Sequence, residues 1–276
     1  METLKNTYLN VSKNWHKNLN ISMEFKSDWV FVHNRQIAEY IETKKTINTK
    51  KTHYTALAQI LKNNPKLYNK YSKMSTNLSL MSQQDDNNNK LKKSREANFI
   101  TLGDSLNYLS KMEKNNEKYL ALALYTLQPP IRSEYANMQI SNAKRKPIKS
   151  KNNFLWINQN KIFIILNKDK VTNHYGIGII EIENDQLKKI IIDSITNKPR
   201  KYLFQDDNNR PYTYDKFQRI LKSIFTDRNV SVDIFRSSYI THFYSQNKTI
   251  NEKNELAKKM RHSREIAETT YNKIIS

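Results

Sequence analysis

Four residues are of types fit for chemistry at an anionic ester such as a phosphodiester: Arg132, Arg236, His262 and Tyr271. Arg236 closes the run DIFR, His262 stands in MRHS, and Tyr271 ends TTY. In-line displacement at such an ester needs a nucleophile, neutralised oxyanions and a proton for the leaving oxygen. Two guanidiniums can fork onto non-bridging oxygens, a planar geometry that lysine cannot copy. An imidazole can add a hydrogen bond. A phenol can attack, although its free pKa of about 10 keeps it protonated unless cations lie near. The spacing imposes a condition. His262 and Tyr271 are nine positions apart. On one continuous helix that step points two side chains to opposite faces. Ser263 is a good N-cap, so a helix starting there leaves His262 on the preceding turn and Tyr271 near the helix end. Both can then face one pocket. Taken singly, each residue also has an ordinary role: a bridging arginine, a satisfied core histidine, a packing aromatic.

The elements that must position these residues fall in two groups. Residues 1 to about 24 are polar and read as a loosely held arm. From Trp29 to Tyr71 the apolar positions follow a helical period: Ile37, Tyr40 and Ile41, then Tyr54, Leu57, Ile60 and Leu61. Asn64-Pro65 opens a further helix with Leu67, Tyr68 and Tyr71 on its apolar side. Residues 74–97 are polar and read as a connector, in part helical. Asp104 is a candidate cap for the helix SLNYLSKMEK. YLALALYTL, residues 119–127, is the most apolar stretch and reads as a buried helix ending before Pro129-Pro130. Arg132 follows at once. An arginine there is costly unless paired, and Glu134 is the nearest acid. FLWIN, KIFIILN and YGIGIIEI read as strands, with Ile190–Ile192 as a further candidate. Lys168 and Lys170 sit between the second and third of these. FQRILKSIF reads as an amphipathic helix leading into DIFR.

Composition narrows the partners. The 276 residues carry 47 Lys and Arg against 26 Asp and Glu, a formal charge of +21. Residues 1–97 hold 17 basic and 8 acidic side chains and the remainder 30 and 18, so the charge is spread over both parts. That suits a chain that surrounds a polyanion. The absence of cysteine excludes disulfides and thiolate metal sites, and three glycines are too few for a glycine-rich phosphate loop. No apolar run approaches the ~18 residues of a membrane span. The N-terminus lacks the apolar core of a secretory signal, so an intracellular location without membrane attachment is expected, in cytoplasm or nucleus. The 16 tyrosines must keep their hydroxyls partnered or wet.

The order DIFR, MRHS, TTY, with Arg132 after a buried helix, resembles the boxes of the tyrosine recombinase (phage integrase) family. That family has an H-x-x-R box, a later G-H-S-like box and a tyrosine nine residues after the second histidine. The resemblance implies a mainly α fold with a small antiparallel β-sheet: a helical, DNA-gripping core-binding domain at 1–75 with its arm, a linker at 76–97 and an α+β catalytic domain at 98–276. It implies a site-specific recombinase or integrase of a virus or other mobile element. Such an enzyme cleaves and rejoins double-stranded DNA through a 3′-phosphotyrosyl link, without metal, ATP or other cofactor, as a dimer or tetramer on DNA. By the same resemblance Arg132 and Arg236 bind the phosphate and His262 donates to it. Tyr271 attacks, and Lys170, in a K-T…Y-G hairpin, protonates the 5′-hydroxyl. Asp233 departs from the pattern, which has His or Lys there. An ionised Asp cannot donate; it could cap a helix beginning at Ile234, or orient Arg132 or Arg236, with His174 and His242 as possible stand-ins. A catalytically weak or inactive DNA-binding protein of the same fold is the alternative. Five residues follow Tyr271, so its position is expected to depend on contacts made in the DNA-bound assembly, in cis or from a neighbour.

Overall fold

A computed structural model gives the structure of the chain and describes residues 6–22, 27–87 and 96–273. The chain forms two compact units, Met1–Asn88 and Asn89–Ser276. Among the described residues no helix is long and apolar enough to cross a membrane.

The first unit is helical: α1 (Asn6–Asn18), α2 (Ser27–Val32), α3 (Asn34–Glu42), α4 (Ile47–Ile60) and α5 (Pro65–Asn87). Ile37, Ile41, Tyr54, Leu57, Leu61 and Tyr71 are buried in its core, as the helical period predicts, together with Trp15 and Trp29, while Tyr40, Ile60, Leu67 and Tyr68 are only partly buried against it. The polar opening differs from the loose arm expected. Residues 6–18 are helical because one large apolar side chain docks them: Trp15 is fully buried and its indole donates to His53 Nδ1 at 2.9 Å. α5 continues to Asn87, through the first part of the stretch read as a connector; residues 88–95 of that stretch lie outside the described residues. Buried tyrosines are satisfied as required, Tyr71 by Asn34 Oδ1 at 2.7 Å and Tyr54 by Glu42 at 2.5 Å.

The second unit is mainly α around a small sheet. It begins with α6 (Leu102–Lys111) and α7 (Glu117–Thr126), which is buried from Tyr119 to its end. Asp104 does not cap α6. Thr101 does, accepting from Asp104 N at 3.0 Å and donating to the Asp104 carboxylate at 2.7 Å. The sheet has four strands, β1 (Gln139–Ser141), β2 (Phe154–Asn158), β3 (Lys161–Leu166) and β4 (Gly178–Glu181), in that spatial order. β2, β3 and β4 are antiparallel as expected, while the added β1 lies parallel to β2, so the sheet is mixed. A short helix, α8 (Thr172–Tyr175), interrupts the β3–β4 connection. Ile190–Ile192 is not a strand. It lies inside α9 (Asp185–Asn197), which Asn184 caps. Leu187, Ile190 and Ile191 are buried at helical spacing while Ile192 is exposed, so one-sided burial outweighs the β preference of three isoleucines. Then follow α10 (Tyr214–Lys222), α11 (Val232–Tyr244) and α12 (Ile250–Lys259), the last with a full capping box between Thr249 and Glu252. One helical turn, α13 (Arg264–Ile266), runs into a π-helical turn at Ala267–Tyr271.

Candidate active site

α11 carries Arg236 on its buried face. The residue is fully buried, with Nη1 donating to Pro130 O at 2.6 Å and Nη2 to Met260 O at 3.1 Å. Its Nε meets no acceptor, and no carboxylate pairs with it among the described residues. The guanidinium therefore staples the turn before Arg132 to the turn before His262 without an ion pair of its own, the buried Glu134 carboxyl lying within its field. Arg132 reaches the second turn as well, through Nη1 to Arg261 O at 3.2 Å. Its own backbone is held by the buried helix α7, where Tyr125 donates to Arg132 O at 2.6 Å. The pairing of Arg132 with Glu134 is not formed. Glu134 is buried with Oε2 unpartnered, and burial raises its carboxyl above the usual range despite the nearby arginines.

His262 and Tyr271 meet as the cap argument requires. Ser263 Oγ accepts from Ile266 N at 3.2 Å, so a helix does start there. His262 lies on the preceding turn, and its ring stacks on Tyr271 with centroids 5.3 Å apart and planes 28° apart. The phenol also meets a cation: the Arg236 guanidinium carbon lies 4.8 Å from the Tyr271 ring centroid. A desolvated contact of this kind is worth about 2 kcal/mol. The π-turn advances the chain by one extra residue per bond, with Asn272 N reaching Ala267 O at 2.8 Å. Such turns recur at functional sites because they re-aim a side chain. Lys273 N donates to Thr241 Oγ1 at 2.9 Å and ties the end of this segment to α11.

The protonation of His262 follows from the same geometry. Nδ1 lies 3.0 Å from the Ser263 carbonyl, which can only accept, so Nδ1 bears the proton and Nε2 presents a lone pair. Nε2 is buried without a partner. Burial first, then the charges of Arg236 and Arg132, lower the imidazole to about 4, against a weaker upward pull from the Ser263 carbonyl. His262 is thus neutral at pH 7.

Lys170 stands apart from this cluster. It is exposed on the β3–β4 connection and lines, with Arg132, Ser133, Lys151, Lys168 and Tyr214, a cleft of about 500 Å³. Arg236, His262 and Tyr271 do not line that cleft. Lys168 lines it too, and its backbone is clamped on both sides by the Asn153 amide, each bond 2.9 Å. Asp233 is exposed at the second position of α11; the helix starts one residue before it, after Ser231, so it does not serve as the cap. His174 and His242 are exposed, beside Tyr175 and Gln246 respectively, and enter no part of the cluster.

Two residues that the sequence reading passes over join the parts. Arg261 forks onto Asp169, Nε to Oδ2 at 2.8 Å and Nη2 to Oδ1 at 3.2 Å, and also donates to Gly176 O at 2.6 Å. Both side chains are nearly inaccessible, at 7% and 1%. Burial would raise the Asp169 carboxyl, but hydrogen bonds from Arg261 and Thr172 and the Arg261 charge outweigh it and hold the group below its ordinary value. Arg261 thereby fastens the lysine-bearing connection to the turn of His262, while its carbonyl receives Arg132. Its φ is +59°, a left-handed conformation that costs a non-glycine residue about 1–3 kcal/mol, and the fork onto Asp169 helps to hold it there. The available signal was position: Arg261 directly precedes His262, and Asp169 lies between the two lysines.

No protein-family model matches the chain. No curated protein matches it either. Among solved structures it is similar to a XerA recombinase, with 11% identity, a TM-score of 0.47 and coverage of 98% of this chain and 86% of that one. It is similar also to the Tn1549 transposon integrase in complex with transposon right-end DNA, with 14% identity, a TM-score of 0.46 and coverage of 98% and 96%. Identities this low leave the chemistry to be argued from the residues themselves.

Proposed function

We propose that the chain is a tyrosine recombinase: a site-specific enzyme that cleaves and rejoins double-stranded DNA through a phosphotyrosyl link at Tyr271. The observation that carries this is Arg236. A buried guanidinium without an ion-pair partner costs several kcal/mol, which supports a site organised for an anion. Here that cation lies against the face of a tyrosine and within the field of a second arginine and a histidine. An anion site beside a phenol suits attack of tyrosine on a phosphodiester, with the arginines stabilising the charge that develops.

The geometry adds two requirements to that chemistry. The Tyr271 ring covers the Arg236 guanidinium, so a phosphate reaches Arg236 only after the ring slides off its face. His262 offers a lone pair at Nε2 and must gain a proton to donate there. A phosphate between Arg132 and Arg236 offsets the two charges that depress the imidazole, and so favours the imidazolium that donates to it. Tyr271 Oη then attacks phosphorus as its proton passes to solvent water, the bond to the 5′ oxygen breaks, and Lys170 supplies that oxygen's proton. The tyrosyl phosphodiester keeps the bond energy, so a 5′-hydroxyl of another strand can reverse the step. Exchange between two duplexes uses more than one such tyrosine, so self-assembly on DNA belongs to the proposal. In this reading residues 1–75 grip DNA, 76–97 link, and 98–276 carry the chemistry.

A nicked duplex that loses its 5′-hydroxyl fragment after cleavage traps the intermediate. The wild-type chain should give a covalent adduct on a denaturing gel, and Tyr271→Phe none. The second reading, a DNA-binding protein with little catalysis, is favoured by Asp233, an acid where a phosphate donor is expected. Tight binding without any adduct would select it.

A further inference from the structure

The connection between β1 and β2 takes no part in the cluster above. It reads NAKRKPIKSK and holds five cations in eight positions: Lys144, Arg145, Lys146, Lys149 and Lys151. All five are exposed, and none is ion-paired with a described residue. A solvated lysine run is usually held by nothing. This one is held along its backbone by neutral side chains of β2 and of the residue that follows β3. Trp156 Nε1 donates to Ala143 O at 2.7 Å. Asn167 Nδ2 donates to Pro147 O at 2.9 Å and to Asn152 O at 2.8 Å. The Lys146 ammonium lies 4.8 Å from the Phe163 ring centroid. The anchors carry no charge, so they fix the loop without compensating it.

The loop is also continuous with the cleft, because Lys151 lines it together with Arg132, Lys168 and Lys170. A fixed row of unpaired cations leading away from a phosphate site fits a ligand whose negative charges continue past the reacting group. The geometry points to the 144–151 loop as a preformed clamp for the phosphate backbone of duplex DNA flanking the cleaved bond. The inference rests on the proposed function for the identity of the ligand in the cleft. A loop meant to be taken up as a free basic peptide would not be bonded to Trp156 and Asn167 at both ends.

The test is a triple variant of the full chain, Lys144→Ala, Arg145→Ala and Lys149→Ala, which leaves Lys146 on its aromatic rings and Lys151 in the cleft. Duplex affinity is measured by anisotropy over a salt series. Three lost phosphate contacts should reduce the slope of log affinity against log salt by about 3, and the wild-type advantage should shrink about fortyfold between roughly 50 and 200 mM salt. If the triple variant melts early, the single variant Lys144→Ala should still lower the slope by about 1. An unchanged slope overturns the clamp, whether the loop is merely solvated or serves as a peptide signal. The adduct assay separates the two claims. A wild-type adduct with an unchanged variant slope removes the clamp and leaves the recombinase reading. A reduced slope with no wild-type adduct keeps the clamp and removes that reading.

Discussion

At the scale of single residues, the cluster is a set of charges held away from their ordinary partners, and pH exposes them. The folded imidazole of His262 is lowered to about 4, against an ordinary value of 6.5. The unfolded chain therefore takes up this proton first. The contribution of His262 is complete above pH 6.5 and is lost as pH falls toward 4, by about 3 kcal/mol in all. Urea midpoints at neutral pH and at the acid end of that window should show wild type losing more stability than His262→Gln, and equal losses would contradict the buried neutral imidazole. Asp233 behaves differently because it is exposed and its side chain forms no hydrogen bond among the described residues. Asp233→His should leave stability within about 0.5 kcal/mol, as for surface changes generally, and keep or raise cleavage. A hundredfold loss of cleavage rate, about 2.7 kcal/mol, would give Asp233 a dedicated role. Much at this scale was legible: Ser263 as a cap, His262 before it and Tyr271 after it follow from residue type and spacing alone. The Arg261–Asp169 fork was not, because the two residues are 92 positions apart and neither is unusual for its neighbourhood.

At the scale of elements, that fork is what joins the lysine-bearing β3–β4 connection to the turn of His262. Breaking one side of a buried pair strands the other charge, at about 3–5 kcal/mol, and Arg261→Gly gains back part of this by relieving its positive φ. A double-mutant cycle with Asp169→Ser and Arg261→Gly should therefore give a coupling of about 2 kcal/mol or more in urea unfolding. A coupling below about 0.5 kcal/mol would show that the two elements are positioned independently. The same scale shows why some elements were misread. The opening helix was hidden because its docking depends on Trp15 meeting His53, a long-range contact in a polar stretch. Ile190–Ile192 looked like a strand locally, and became helix because burial falls on Leu187, Ile190 and Ile191 together. β1 is three residues long and owes its existence to pairing with β2, so it has no sequence pattern of its own.

At the scale of the whole molecule, charge and core are distributed so that each compact unit carries its own hydrophobic cluster. The fragment 98–276 should fold alone, with helical circular dichroism and a cooperative melt, while binding DNA more weakly than the full chain. An unfolded fragment would move the boundary. The central claim is that the arginine cluster exists to serve Tyr271. Tyr271→Phe removes one oxygen and keeps the ring against Arg236, so it should bind DNA as wild type does. Arg236→Ala should also form no adduct, through loss of roughly 3 kcal/mol or more of oxyanion stabilisation. Mixing the two variants reports the donor: recovered cleavage means the tyrosine acts in trans. The most direct measurement is mass mapping of the residue that becomes covalently attached to a nicked suicide duplex. The account predicts a phosphodiester on Tyr271 and on no other of the 16 tyrosines. Attachment at any other residue, or none from a chain that binds the duplex tightly, would contradict it.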